Sequence, residues 1–193
     1  MLTTRDRILD AAAEIMRTRG IVRATTREIA RVAGFSEATL YKHFRDKEEL
    51  LLHVLQERLP SFTGFTDRPG EGTVEDNLLQ VARGALAFYH RTFPMLGSVL
   101  AEPRFMAAHR ESLRKYDAGP ERPIARLSAY LKAEQELGRV SAGADPDAAA
   151  ALLLGACFQQ AFLGHYAEGP EVGQVPESTA VALARTIARS ILP

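Results

Sequence analysis

At 193 residues and 21.2 kDa the chain can bury a core without disulfide or metal staples, and 46% hydrophobic with 25% charged residues is the balance of an ordinary globular protein. Its single cysteine, Cys157, excludes an intramolecular disulfide and cannot by itself build a metal site, which points to a reducing, cytoplasmic compartment. The formal charge of zero hides an uneven distribution: residues 17–47 carry eight basic and three acidic side chains, a local +5 offset by the remainder. Such a cluster is either a solvated face or the footprint of a polyanion.

Ile8, Ala12, Ile15 and Met16 recur at helical spacing among Arg, Asp and Glu, so residues 3–19 read as an amphipathic helix closed by Gly20. The charged residues of this segment break the apolar stretch a signal peptide needs. Thr25 and Glu28 have capping-box spacing and open a second helix to Ala33, which Gly34 can end in a left-handed conformation. Ser36 caps a third helix, and Asp46 with Glu49 opens a fourth, whose inner side is Leu50, Leu51, Val54 and Leu55 and whose end is at Pro60. Residues 61–73, rich in glycine, read as a linker.

A long helix is expected over 74–92, ended or kinked by Pro94, with shorter helices at about 95–102 and 104–117 before the Ala118-Gly119-Pro120 break. Ile124, Leu127 and Leu131 mark the next helix, closed by Gly138. An Ala/Leu-rich helix runs to about Ala167, and a last one spans about 177–191. With no persuasive strand or repeat, the fold class is all-α. The longest apolar run, Ala148 to Phe158, is 11 residues, short of the roughly 18 a spanning helix needs, so neither export nor a membrane partner is expected.

Residues 25–50 are the most densely punctuated part of the chain. In a helix-turn-helix two helices cross closely, so a small residue must sit at the crossing and the turn must tolerate unusual backbone. Ala30 and Gly34 supply that pair, and Ile29, Phe35 and Leu40 fall where apolar anchors are needed. The third helix then presents Glu37, Ala38, Thr39, Tyr41, Lys42 and His43, a short polar face suited to a DNA major groove. Capped helices and a glycine turn also occur in domains that only pack, where Tyr41, His43 and Phe44 would be core.

In "RILDAAAEIMRTRG" at 7–20, "ATTREIARVAGFSEATLYKHF" at 24–44 and "DKEELL" at 46–51, residues 5–55 resemble the DNA-binding domain of the tetracycline-repressor (TetR) family of bacterial regulators. The resemblance implies phosphate contacts from Thr25 or Thr26, Tyr41, His43 and Lys47, with Ser36 beside them. It implies base-edge contacts from Arg27, Glu37, Ala38, Thr39 and Lys42, the last a partner for guanine O6 or N7. Phe35 stands where Val is commoner in the family. It further implies a helix-turn-helix domain at 1–46, an effector-binding and dimerisation domain at 47–193, and a homodimer on double-stranded DNA, most simply a repressor released by its effector.

For a small-molecule effector, the apolar and aromatic residues Phe88, Tyr89, Phe93, Met95, Phe105, Met106, His109, Tyr116, Leu127, Tyr130 and Phe158 are candidate pocket walls, each of which could equally be core. Their character suits a lipophilic or aromatic ligand. For a dimer interface, Leu152, Gly155, Ala156, Gln159, Leu163, Ala180, Leu183, Ala184 and Ile187 combine small and apolar residues on the last two helices, which also suits core helices. The five histidines lack metal-ligand spacing, no phosphate loop or nucleophile elbow is present, and neither cofactor, metal nor catalysis is expected. The rival reading is a helical ligand-binding or protein-interaction protein with a non-functional DNA-binding head.

Overall fold

In the computed structural model, which describes residues 2–59, 62, 68–115, 119–169, 173 and 175–193, the described residues form nine α-helices and no strand. These are α1 (Thr4–Arg23), α2 (Thr26–Ala33), α3 (Glu37–Tyr41), α4 (Lys47–Glu57), α5 (Val74–Leu100), α6 (Pro103–Lys115), α7 (Arg122–Glu136), α8 (Pro146–Glu168) and α9 (Glu177–Ile191). The all-α class expected from the sequence is the one observed. Most of the linker expected at 61–73 lies outside the described residues.

Local chemistry sets the first four helices. Thr3 and Asp6 form a reciprocal capping box at the start of α1, and Gly20, at φ 78° and ψ 167°, interrupts that helix where its end was expected. The Thr25, Ser36 and Asp46 side chains accept from the N–H groups of Glu28, Thr39 and Glu49, satisfying donors that the first turns of α2, α3 and α4 leave without intrahelical partners. Among the described residues the return bond of a full box forms at neither Thr25 nor Asp46: Glu28 turns to Arg19 and Arg31, and Glu49 accepts from the Arg45 N–H.

Two compact units emerge from the packing. The first comprises Met1–Pro60 and Thr92–Ala118, the second Ser61–Arg91 and Gly119–Pro193. In the first, Ile8, Leu9 and Met16 of α1 bury against Ile29, Leu40, Phe44, Leu50, Leu51 and Val54, with Met95, Val99 and Phe105 in the same core. In the second, Leu78, Val81, Ala82 and Ala85 of α5 pack with Leu127, Leu131, Leu153, Leu154 and Cys157, and with Ala180, Ala184 and Ala188 of α9. Burying one such leucine contributes about 1.5–3 kcal/mol, so each unit has its own source of stability.

Pro94 does not end a helix, contrary to the expectation of a break and a separate helix from 95: α5 runs through it for 27 residues. Proline removes the N–H that would bond the carbonyl four residues earlier, which here is that of His90. In the tautomer with its proton on Nε2, His165 of α8 donates to the His90 carbonyl at 2.9 Å. A side chain thus supplies the hydrogen bond the backbone cannot. α8 is also longer than its apolar run suggested. By length and mean hydropathy (1.3 over an 18-residue window) it could cross a membrane, and only 33% of that window is buried within the chain.

Ion pairs join the ends of the first unit. Arg5 of α1 holds Glu57 of α4 at 2.6 Å, and Arg58 reaches back to Asp6 and Asp10 at 2.8 and 2.6 Å. Asp6 is pulled from 3.8 to about 2 by hydrogen bonds from Thr3 and Arg58, and Glu57 from 4.5 to about 2 chiefly by its bond with Arg5. A carboxyl with a depressed folded-state pKa stabilises the fold above its unfolded value, and the contribution is lost as pH falls through the folded value. Stability should therefore decline as pH drops from about 4.5 towards 2, and Arg58→Met should make the decline shallower. Denaturant unfolding midpoints across that range for both proteins measure it; parallel declines would remove the α1–α4 ion pairs from the account.

Candidate nucleic-acid interface

The turn between α2 and α3 sets the geometry of the basic segment. Gly34 adopts φ 79° and ψ 31°, the left-handed region where a side chain is strained, and the Phe35 N–H closes onto the Ala30 carbonyl at 2.9 Å. A Cβ at Gly34 would lie 3.1 Å from Nη2 of Arg7. That guanidinium donates to the Ala33 carbonyl at 3.0 Å and lies 4.7 Å from the centre of the Phe35 ring. Phe35 is thereby an anchor, although it replaces a smaller residue. Ile29 and Leu40 are fully buried, so the two helices are fixed by apolar contact on their inner sides.

The outer side of α3 agrees with the helix-turn-helix reading. Tyr41 is 50% exposed, Ala38, Lys42 and His43 are exposed, and Glu37 and Thr39 are partly so. Of the three aromatic side chains that packing alone could have claimed, only Phe44 is core. Thr25, Arg27 and Ser36 are exposed, and Thr26 and Lys47 partly exposed. The candidate set thus lies on α2, α3 and the start of α4 with solvent access at every member.

Charge is sorted more finely than a count of basic residues can show. Arg19 and Arg31 both pair with Glu28, whose carboxyl Arg31 above all draws from 4.5 to about 2. Arg17 pairs with Glu14 and Arg45 with Asp46. Among the described residues no ion pair involves Arg27, Lys42 or Lys47, and these are the three basic members of the candidate DNA face. Positive charge is compensated around the face and left available on it, the arrangement that phosphate neutralisation and base readout require.

A further feature was not legible from motif spacing. Thr26 of α2 donates to Glu37 Oε1 of α3 at 2.6 Å, and Tyr41 donates to Thr26 Oγ1 at 3.4 Å. Three candidate DNA-contacting residues are therefore bonded to one another across the turn. No periodicity rule links positions 11 and 15 residues apart on two helices.

The effector candidates divide between the units. Phe88, Tyr89 and Phe158 are partly buried in the second, Tyr89 lying 5.4 Å from Phe88 and 5.5 Å, at right angles, from Phe158. Burial raises the Tyr89 phenol. Leu127 and Tyr130 of the same unit are core; the Tyr130 hydroxyl accepts from Asn77 at 2.8 Å, and burial pushes it up to about 12. In the first unit Met95 and Phe105 are core, while Phe93, Met106 and His109 are partly buried. Nδ1 of His109 is buried with no hydrogen-bond partner among the described residues, and burial lowers its pKa. Tyr116 lies outside the described residues. A cavity of about 460 Å³ in the second unit is lined by Arg83, Leu86, Ala87, His90, Arg91, Val175, Pro176, Glu177 and Ala180, none of them an effector candidate.

The dimer candidates also separate. Leu152 (64%) and Leu163 (46%) are exposed, as are Gly155 and Gln159, with Ala156 partly covered. On α9, Leu183 and Ile187 are partly exposed, whereas Ala180 and Ala184 are buried in the core of their own unit. Their smallness serves close approach of α9 to its own neighbours. Phe162 and Tyr166, 43% and 81% exposed with rings 5.9 Å apart, extend the α8 face beyond the candidate set. The spacing 152, 155, 159, 162, 166 is a heptad-like stripe that could have revealed them.

Comparison with known proteins agrees with this geometry. The family model "Bacterial regulatory proteins, tetR family" matches residues 8–54, and that of the C-terminal domain of AefR-like transcriptional repressors matches residues 76–189. The HTH-type transcriptional regulator YvkB of Bacillus subtilis (strain 168) is 29% identical over 143 residues, covering 74% of each chain. SrpR of Pseudomonas putida, also an HTH-type transcriptional regulator, is 46% identical over 55 residues, which cover 28% of this chain and 26% of that one. Among solved structures, one described as a TetR-family transcriptional regulator from Mesorhizobium loti has a TM-score of 0.71 at 22% identity, over 98% of this chain and 97% of that one. The complex of SmeT with triclosan has a TM-score of 0.66 at 19% identity, over 98% and 92% of the two chains. SmeT is described as the repressor of the Stenotrophomonas maltophilia multidrug efflux pump SmeDEF. With one family model over the helix-turn-helix and a second over more than half of its length, the chain belongs to the TetR family of bacterial transcriptional regulators.

Proposed function

We propose that this regulator is a cytoplasmic homodimeric repressor that binds a palindromic operator and is released by a small lipophilic or aromatic effector. The observation that carries the DNA part is the exposed face around α3, with Arg27 on α2, Lys42 at the end of α3 and Lys47 at the start of α4, none of them in an ion pair among the described residues. Tyr41, His43, Lys47, Ser36 and either Thr25 or Thr26 at the start of α2 contact phosphates; Arg27, Glu37, Ala38, Thr39 and Lys42 approach base edges. Residues 1–46 form the reading head and 47–193 the effector and dimerisation part. Two heads enter successive major grooves about 34–36 Å apart.

The dimer reading is supported by the uncovered stripe of α8, where Leu152, Gly155, Gln159 and Leu163 lie exposed, with Leu183 and Ile187 of α9. An exposed apolar stripe of this kind is disfavoured in water and is stabilised by a self-complementary partner. The effector reading is supported by the aromatic group of Phe88, Tyr89 and Phe158, and by SmeT, a protein of similar fold that is solved with triclosan. α5 carries Phe88 and Tyr89 of that group, so an effector there would sit against this helix. The ligand shifts the equilibrium between DNA-binding and non-binding states only by its preference for the latter.

Two measurements check these assignments. Purified protein should bind duplexes from the DNA beside its own gene selectively over random duplex and more weakly at higher salt; Lys42→Ala should cost about 1–3 kcal/mol and relax preference at one position, whereas Tyr41→Ala should weaken all sequences alike. Unchanged binding by both variants would remove α3 from the interface. Leu163→Asp should convert the dimer to monomer in analytical ultracentrifugation and weaken operator binding; an undisturbed dimer would place the interface elsewhere.

A further inference from the structure

The DNA-facing helix carries a carboxylate, Glu37, on a surface that must approach phosphates. An acidic side chain there is repelled by the polyanion unless a hydrogen-bond donor of the nucleic acid meets it. The structure has already fixed half of the group: Thr26 donates to Oε1 at 2.6 Å, and Tyr41, bonded to Thr26 Oγ1, continues the chain of donors. Such a relay holds the carboxylate in one orientation. Among the described residues nothing is bonded to Oε2, which is left as the acceptor.

The major groove offers few partners for a lone acceptor. Guanine shows two acceptors, and thymine an acceptor and a methyl group. Adenine sets its N6 donor beside the N7 acceptor, which would face the carboxylate charge. Cytosine alone presents a donor, N4, without a neighbouring acceptor on the same base. Resting on the reading that α3 enters the major groove, we infer that Glu37 selects cytosine at one position of each operator half-site, with Thr26 as the residue that positions it. The Thr26 hydroxyl is then committed to Glu37 and is no phosphate donor.

The test is selection of bound duplexes from a randomised library by the full-length protein and by Glu37→Ala, Glu37→Gln, Thr26→Val and Thr26→Ser, each first checked for wild-type thermal unfolding. Wild type should enrich cytosine about fivefold or more over the other bases in one column of each half-site. Glu37→Ala should flatten that column and leave the others. Glu37→Gln should move it towards adenine, whose N6 and N7 an amide can bond together. Thr26→Val should blunt the same column and Thr26→Ser, which keeps the hydroxyl, should restore it. A motif whose columns are unchanged in both Glu37 variants overturns the inference while the DNA-reading function stands. Failure of Thr26→Ser to restore a column lost in Thr26→Val overturns the positioning role. No enriched motif with wild type would overturn the DNA-reading function itself, and this inference with it.

Discussion

Between α2 and α3 the backbone passes through one left-handed residue, Gly34, and the orientation of everything that faces DNA follows from it. The turn brings Phe35 back onto the Ala30 carbonyl and lets Leu40 and Ile29 meet as fully buried anchors. Arg7 closes it from α1 by bonding the last carbonyl of α2 and covering Phe35. A left-handed conformation costs a residue with a Cβ about 1–2 kcal/mol, so glycine is the inexpensive solution. Because the outer positions of a short helix are set by its inner ones, fixing Leu40 and Phe44 in the core turns Glu37, Ala38, Tyr41 and Lys42 outward together.

Electrostatics then refines what packing has arranged. Glu28 gathers Arg19 and Arg31, and Asp46 holds Arg45, while among the described residues no ion pair involves Arg27, Lys42 or Lys47. Exposed ion pairs of this sort contribute little to stability, a median of about 0–1 kcal/mol, and their effect here is to localise charge. One acid, Glu37, lies among the proposed reading positions, and the neighbouring Thr26 hydroxyl, donating to its carboxylate, fixes its orientation.

Features set by local chemistry were legible in the sequence. Thr25, Ser36 and Asp46 were read as caps and Gly34 as a helix end because each needs only a few neighbouring residues. Features set by distant partners were not. Pro94 reads in the sequence as an end or a kink of the helix, and nothing near it shows that its missing hydrogen bond is replaced by His165, 75 residues from His90. Ala180 and Ala184 were assigned to a dimer face because a stripe of small residues looks the same whether it meets its own core or a second chain. The bond from Thr26 to Glu37 crosses from one helix to another, and no residue pattern encodes it. The residues proposed to face DNA are all at least partly exposed, whereas the effector candidates, chosen for apolar character alone, include core residues such as Met95, Phe105 and Leu127.

The central claim is that the Gly34 turn holds α3 in a DNA-reading orientation. The direct measurement is operator affinity of Gly34→Val beside Gly34→Asn, with far-UV circular dichroism as the check on folding. Valine is poorly tolerated in left-handed backbone and asparagine adopts it more readily. The account predicts that Gly34→Val loses about tenfold or more in affinity, the equivalent of about 1.4 kcal/mol, while Gly34→Asn keeps most of it. Wild-type affinity for Gly34→Val would contradict it, because α3 would then reach its DNA-reading position without the turn that is said to place it.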